Sequence, residues 1–184
     1  MQFGAYVGEN AHMATVEILR TDITTLAVDA IVNAANSGLS GGGGVDGAIH
    51  RAAGPALDVE CRTIRQTRYR SGLPAGAAVA TSAGNLPAKW VIHTVGPVWD
   101  GSGLQDGQLA DCYRNSIAVA DELGAYSVAF PTISAGVFGY PMDRATRVAV
   151  QTCRAARPDI IRRIILVAFN DKAEAGYRAA MAEG

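Results

Sequence analysis

Asn33-Ala34-Ala35-Asn36-Ser37-Gly38-Leu39-Ser40-Gly41-Gly42-Gly43-Gly44-Val45-Asp46-Gly47-Ala48-Ile49-His50 is the stretch whose reading decides the fold. It follows a short apolar run, Ala30–Val32, and enters a helically patterned segment that runs through Ala53. A β-branched run before it and helical spacing after it make it a strand-to-helix loop. Seven of the chain's 21 glycines lie between Gly38 and Gly54. Glycine lets a backbone approach a ligand and take positive φ. Free amides at the following helix N-terminus then favour an anion, most often a phosphate. Gly42–Gly47 also satisfies GxGxxG, but the preceding strand ends eight or nine residues too early. About 20 residues further on, where a dinucleotide fold needs an acidic residue, stands Thr67-Arg68-Tyr69-Arg70. A nicotinamide dehydrogenase is therefore disfavoured.

Outward from this loop, short apolar runs alternate with helical patterns. Val16–Leu19, Ala77–Thr81 and Trp90–Val95 read as strands, and Ser127–Phe130 and Ile164–Phe169 as fully buried ones. Helices are expected through Leu57, Cys61 and Ile64, over about Gln108–Leu123, after Pro141 and after Asp171. Such alternation implies a sheet covered on both faces. A second glycine-bearing loop, Ser134-Ala135-Gly136-Val137-Phe138-Gly139-Tyr140-Pro141, leaves Ser127–Phe130 and enters the next helix. Two such loops at the carboxyl edge of one sheet would form two walls of one cleft.

Composition sets the limits. The chain has 184 residues and a net charge of −1, which argues against a protein held on nucleic acid by bulk attraction. Only Lys89 and Lys172 are lysines, and neither follows a glycine, so a Walker-type loop is excluded. Cys61, Cys112 and Cys153 are odd in number and form no CxxC pair, which fits reduced thiols. No secretory signal is visible, and a cytoplasmic protein is expected. Residues 1–13 read as an N-terminal extension, in part vector-derived, because Ala11-His12-Met13 resembles a cloning junction. Residues 14–184 read as one domain.

These residues carry a resemblance. From Asn36 to Ala48 the chain has Asn, six residues, two glycines, an apolar residue, Asp, Gly and Ala. That pattern resembles the signature of the macrodomain family's MacroD-like class, in which Gly or Ala follows the Asp. Gly136-Val137-Phe138-Gly139 resembles the family's second loop, and Asp22-Ile23-Thr24 its adenine-reading segment. The resemblance implies an α/β fold, a three-layer α/β/α sandwich with a central mixed sheet and an ADP-ribose cleft. It implies an ADP-ribosyl hydrolase that cleaves the ester to protein carboxylates and deacetylates O-acetyl-ADP-ribose. Neither metal nor cofactor is implied.

Carried over residue by residue, Asp22 would accept from the adenine amine and Ile23 supply a backbone contact. Phe169 would stack on adenine, with Asn170 beside it. The amides of Gly43, Gly44 and Val45, and of Ser134, Ala135, Gly136, Val137 and Phe138, would hold the diphosphate. Asn36 would bind the distal ribose, and Asp46 is the candidate catalytic group. Asp46 and His50 are four apart and share a helical face, which makes His50 an orienting neighbour or a packed helix residue. A nearby diphosphate would raise the Asp46 pKa, and the helix N-terminus would lower it. Ala135 stands where relatives often carry a small hydroxyl residue. His93 alternates with apolar neighbours and reads as structural.

Two other functions compete. A non-catalytic ADP-ribose reader would share the fold and the cleft, but would not need Asp46. A nucleic-acid module could use Arg62, Arg65, Arg68 and Arg70, but only Tyr69 offers a base platform there. ADP-ribosylated proteins are therefore the expected partners, with no membrane or direct nucleic-acid binding, and a monomer is expected.

Overall fold

The structure is a computed structural model that describes residues 13–183. The N-terminal extension expected over residues 1–13 lies, apart from Met13, outside the described residues.

Ile164, Ile165, Leu166 and Val167 show how the layers form. Successive side chains of a strand point to opposite faces, and all four are buried, so both faces of their strand must be covered. The strand is β6 (Arg163–Ala168). Ile164 and Leu166 join one core with Tyr113, Ala149 and Tyr177. Ile165 and Val167 join a second core with Ile49, Leu57 and Cys61. The other strands are β1 (Thr15–Arg20), β2 (Ala30–Ala34), β3 (Ala78–Ser82), β4 (Trp90–Thr94) and β5 (Ser127–Phe130). They form one six-stranded sheet in the order β1-β6-β5-β2-β4-β3. All neighbours run parallel except β3, which is antiparallel to β4 at an edge. The sheet is therefore mixed.

Helices α1 (Gly44–Ala53) and α2 (Pro55–Thr67) supply the second core. Helices α3 (Asp106–Glu122), α4 (Met142–Ala155) and α5 (Asp171–Ala182) supply the first. The result is a three-layer α/β/α sandwich. No helix among the described residues is long and apolar enough to cross a membrane.

Candidate active site

Parallel strands bring their carboxyl ends to one edge, and strand order sets the sequence of groups along it. β1 and β6 end together, with Arg20 opposite Ala168. Asp22 and Ile23 therefore share one end of the edge with Phe169 and Asn170. The loop after β5 comes next, and then the glycine loop after β2.

At the first end, Asp22 Oδ1 accepts from Thr24 N at 2.9 Å and Thr24 Oγ1 at 2.7 Å. Asp22 thus caps a short 3-10 turn, Ile23–Thr25, and keeps Oδ2 for other use. Ile23 is buried. Phe169 lies one residue beyond β6 and is 80% exposed, so it is not a core aromatic. Asn170 Oδ1 accepts from Ala173 N at 2.9 Å and caps α5. That side-chain oxygen serves a helix terminus.

The second loop is held from both sides. Tyr140 N donates to Ser134 O at 3.0 Å, and Trp99 N donates to Phe138 O at 2.9 Å. Trp99 also packs edge-on against Tyr140, 4.8 Å between ring centroids. Ser134 has φ 65°, a strained value for a residue with a Cβ, and its buried Oγ has no hydrogen-bond partner among the described residues. Ala135 and Phe138 are partly buried, while Gly136 and Val137 are exposed. The amides of Gly136, Val137 and Phe138 bond to nothing among the described residues.

α1 begins at Gly44 with no side-chain cap at Gly43. The amides of Gly43, Gly44 and Val45 find no acceptor among the described residues. Gly44 has φ 58°, and neither it nor Gly43 has a neighbour within 4 Å of where a Cβ would stand. Asn36 shapes this loop: Nδ2 donates to Gly41 O at 2.8 Å, and Oδ1 accepts from Ser40 N at 3.2 Å. The turn-forming and ligand-facing roles of Asn36 are compatible, because Nδ2 keeps a second hydrogen.

Asp46 lies in the first turn of α1 and is only 6% exposed. Asn33 Nδ2 donates to Asp46 Oδ1 at 2.8 Å. His50 Nε2 is 3.3 Å from the same oxygen but makes no hydrogen bond there. Burial raises the Asp46 pKa above its ordinary value, outweighing the Asn33 hydrogen bond and the His50 charge, which lower it. Withdrawal from water is thus the largest cause.

Three members of this site were not visible as site residues in the sequence: Asn33, His93 and Asp58. Asn33 sits in β2 and His93 beside it in β4, in register. Asn33 Nδ2 gives its other hydrogen to His93 Nδ1 at 3.1 Å. His93 must then carry its proton on Nε2, 2.9 Å from Thr81 Oγ1, whose hydroxyl donates to Ser82 O. Complete burial holds His93 neutral, with a pKa lowered to about 3. A buried Asn in an otherwise apolar strand was the one available sequence signal.

His50, Cys61 and His93 also bring ligand atoms within 4.8 Å of one another. As they stand these donors do not suit a metal. Both His93 nitrogens are committed, and burial pushes the Cys61 thiol up to about 12. Metals bind thiolate and bare imidazole nitrogen.

An uncapped helix entry, a second amide-bearing loop and a buried carboxylate on one sheet edge place the donors that suit a small anionic ligand beside a carboxylate. The chain belongs to the macrodomain family, in its MacroD-like class: the Macro domain model matches residues 32–149. It is 53% identical to a macro domain-containing protein of Streptomyces coelicolor over 167 residues, 91% of this chain and 98% of that one. It is 51% identical to an O-acetyl-ADP-ribose deacetylase of Klebsiella pneumoniae, over 90% of this chain and 95% of that one. A variant of the Oceanobacillus iheyensis macrodomain, solved with ADPR, superposes with a TM-score of 0.88 at 39% identity, covering 95% and 96% of the two chains. The Trypanosoma brucei macrodomain in complex with ADP-ribose gives 0.81 at 37% identity, covering 96% and 72%.

Proposed function

We propose that the chain binds ADP-ribose and hydrolyses the ester joining it to protein glutamate or aspartate, and that it deacetylates O-acetyl-ADP-ribose. The observation that carries this reading is Asp46: a buried carboxylate with raised proton affinity, set between Asn33 and His50 beside an uncapped helix entry. A reader has no use for a desolvated base. Relatives named as O-acetyl-ADP-ribose deacetylases, about half identical to this chain, support it.

In this reading adenine stacks on Phe169 and meets Asp22 Oδ2. The diphosphate lies on amides of Gly43–Val45 and Gly136–Phe138, neutral donors in place of lysines; the Ala135 amide is set aside, since it already donates to Thr132 O at 3.4 Å. The second Nδ2 hydrogen of Asn36 takes a distal ribose hydroxyl. Phe138 holds that sugar in line, and Asp46 orients or deprotonates the attacking water. Attack falls at the ester or at the anomeric carbon. The working unit is one macrodomain over residues 14–184, monomeric and cytoplasmic, without metal or cofactor.

The test is release of ADP-ribose from a glutamate-linked modified protein, and of acetate from O-acetyl-ADP-ribose, by the wild type and Asp46→Ala. Turnover lost in the variant supports the reading. Tight ADP-ribose binding with no release by the wild type would make the chain a reader. Undiminished activity in Asp46→Ala would remove that residue from the chemistry.

Phe169→Ala separates binding from folding. Aromatic stacking on a base is worth ~1–3 kcal/mol, so ADP-ribose affinity by calorimetry should fall about tenfold. The thermal midpoint should not move, because the ring is 80% exposed. Unchanged affinity would place adenine elsewhere.

A further inference from the structure

Asp58 belongs to no motif and lies outside the glycine loop. It sits in the first turn of α2, which follows α1 after the single residue Gly54. The tight junction packs α2 against α1 and brings Asp58 Oδ1 to 2.6 Å from His50 Nδ1. The opposite ring nitrogen, Nε2, lies 3.3 Å from Asp46 Oδ1. One imidazole thus spans two carboxylates from two helices. Their surroundings differ: the Asp46 side chain is 8% exposed and that of Asp58 50%. Nε2 is buried and has no hydrogen-bond partner among the described residues. A buried polar atom left unmatched costs stability, and catalytic contacts that are loose without substrate tighten in its complex.

We propose that Asp58 is a positioning residue for hydrolysis, acting through His50: it holds the Nδ1 proton so that Nε2 faces Asp46, and it leads a proton from Asp46 to solvent. The inference rests on the hydrolase reading above. An ionised carboxylate only accepts, so the Nδ1 proton belongs to the ring. Water adds its oxygen to the acyl or anomeric carbon, and the bond from that carbon to the leaving oxygen breaks. Either way the products near neutral pH are an alcohol and a carboxylate, and one proton is surplus. Asp46 takes one proton from water; the other enters with the added hydroxyl, passing to the leaving alkoxide as the carboxylate forms on acyl attack, and staying on the ribose hydroxyl as the carboxylate leaves on anomeric attack. It must lose the surplus proton before the next turnover. Nε2 accepts it, and the Nδ1 proton leaves through Asp58. The ionisable groups facing His50 are Asp46 from α1, Asp58 and Cys61 from α2, and His93 from β4. Cys61 and His93 stay neutral through the working range. Among the described residues His50 therefore exchanges protons with the two carboxylates.

The test compares the full chain with Asp58→Asn and Asp58→Glu. It uses pH profiles of kcat and KM on O-acetyl-ADP-ribose, and nitrogen NMR of the His50 ring, which reads which nitrogen carries the proton. Removing the Asp58 charge destabilises the imidazolium formed when Nε2 takes the Asp46 proton, so Asp46 gives that proton up less readily. In Asp58→Asn the Nδ1 proton should no longer be fixed, so that the His50 ring shows both tautomers, and the acid limb of kcat should move to higher pH. A several-fold loss of kcat is expected near pH ~6, with KM and ADP-ribose affinity within twofold of wild type. Asp58→Glu should restore the profile. An active wild type whose profile is unmoved in Asp58→Asn overturns this inference alone. So does a loss that is uniform across pH or carried by KM. A wild type that turns over neither substrate overturns the hydrolase reading, and this inference with it.

Discussion

Asp46→Asn is expected to leave the fold more stable at neutral pH while removing ~10²–10⁴ of the hydrolytic rate, the contribution of a positioned general base. The two effects share one cause. Burial raises the Asp46 pKa above its unfolded value near 3.8. Above the folded pKa the native state holds a desolvated charge that the unfolded chain keeps in water, so Asp46 lowers stability there. As pH falls through the folded pKa, the native state takes up a proton first and regains that stability; below the unfolded value the difference is gone. Asparagine has a similar shape, carries no charge and can still accept from Asn33 Nδ2. The gain should be about 1 kcal/mol, or ~2–4 °C in thermal midpoint for a chain of this length. It should be present at pH 7 and shrink towards pH ~4. Calorimetric scans across that window check it. A variant less stable than wild type at neutral pH would mean that the Asp46 charge supports the fold, contrary to its burial. Stability surrendered at a catalytic group is the ordinary cost of chemistry in a desolvated site.

The fold was largely legible because both faces of the sheet are buried. Ser127–Phe130 lies in the structure where its apolar run placed it. The reading of β6 ran one residue too far, to Phe169, because an apolar pattern does not mark where pairing with β1 stops. That residue makes the difference between a core ring and an exposed one just past the carboxyl end of β6. The order β1-β6-β5-β2-β4-β3 and the reversal of β3 depend on contacts between distant segments, which local periodicity does not encode. At the site, the helical spacing of Asp46 and His50 was readable, since i and i+4 share a face on any helix. Asn33, His93 and Asp58 were not, because each reaches the site through packing: β2 beside β4, and α2 against α1. The scarcity of lysine was legible as a composition but gained meaning only with the open amides of Gly43–Val45.

Gly47→Ala is expected to damage both stability and ligand affinity, although Gly47 lies inside a helix, where alanine is normally preferred by ~1 kcal/mol. A Cβ there would overlap the carbonyl oxygen of Gly42 and stand 2.9 Å from Arg51 Nη1. The arginine end can move aside. The carbonyl cannot move alone, because Asn36 Nδ2 holds the adjoining Gly41 O at 2.8 Å, and the Gly43 carbonyl accepts from the Gly47 amide at 3.3 Å. Relief of the overlap must therefore shift the whole entry from Gly41 to Gly44, the backbone assigned to the diphosphate. Overpacking of this kind costs ~1–3 kcal/mol, enough to outweigh the gain in propensity. Affinity for ADP-ribose should fall by at least ~10-fold, as misaligned amides lose about 1.4 kcal/mol or more of binding. Gly43→Ala is the control for stability. With φ −92° and no atom within 4 Å of a new Cβ, it should change stability by less than ~0.5 kcal/mol. Denaturant melts and calorimetric titration of both variants check the pair. If Gly47→Ala matched Gly43→Ala in stability and kept full affinity, the close seat of α1 on its glycine loop would not be what aims the amides. If it lost affinity out of proportion to stability, the helix entry itself would be the binding element, and the glycine at 47 would serve the ligand by letting α1 sit that close.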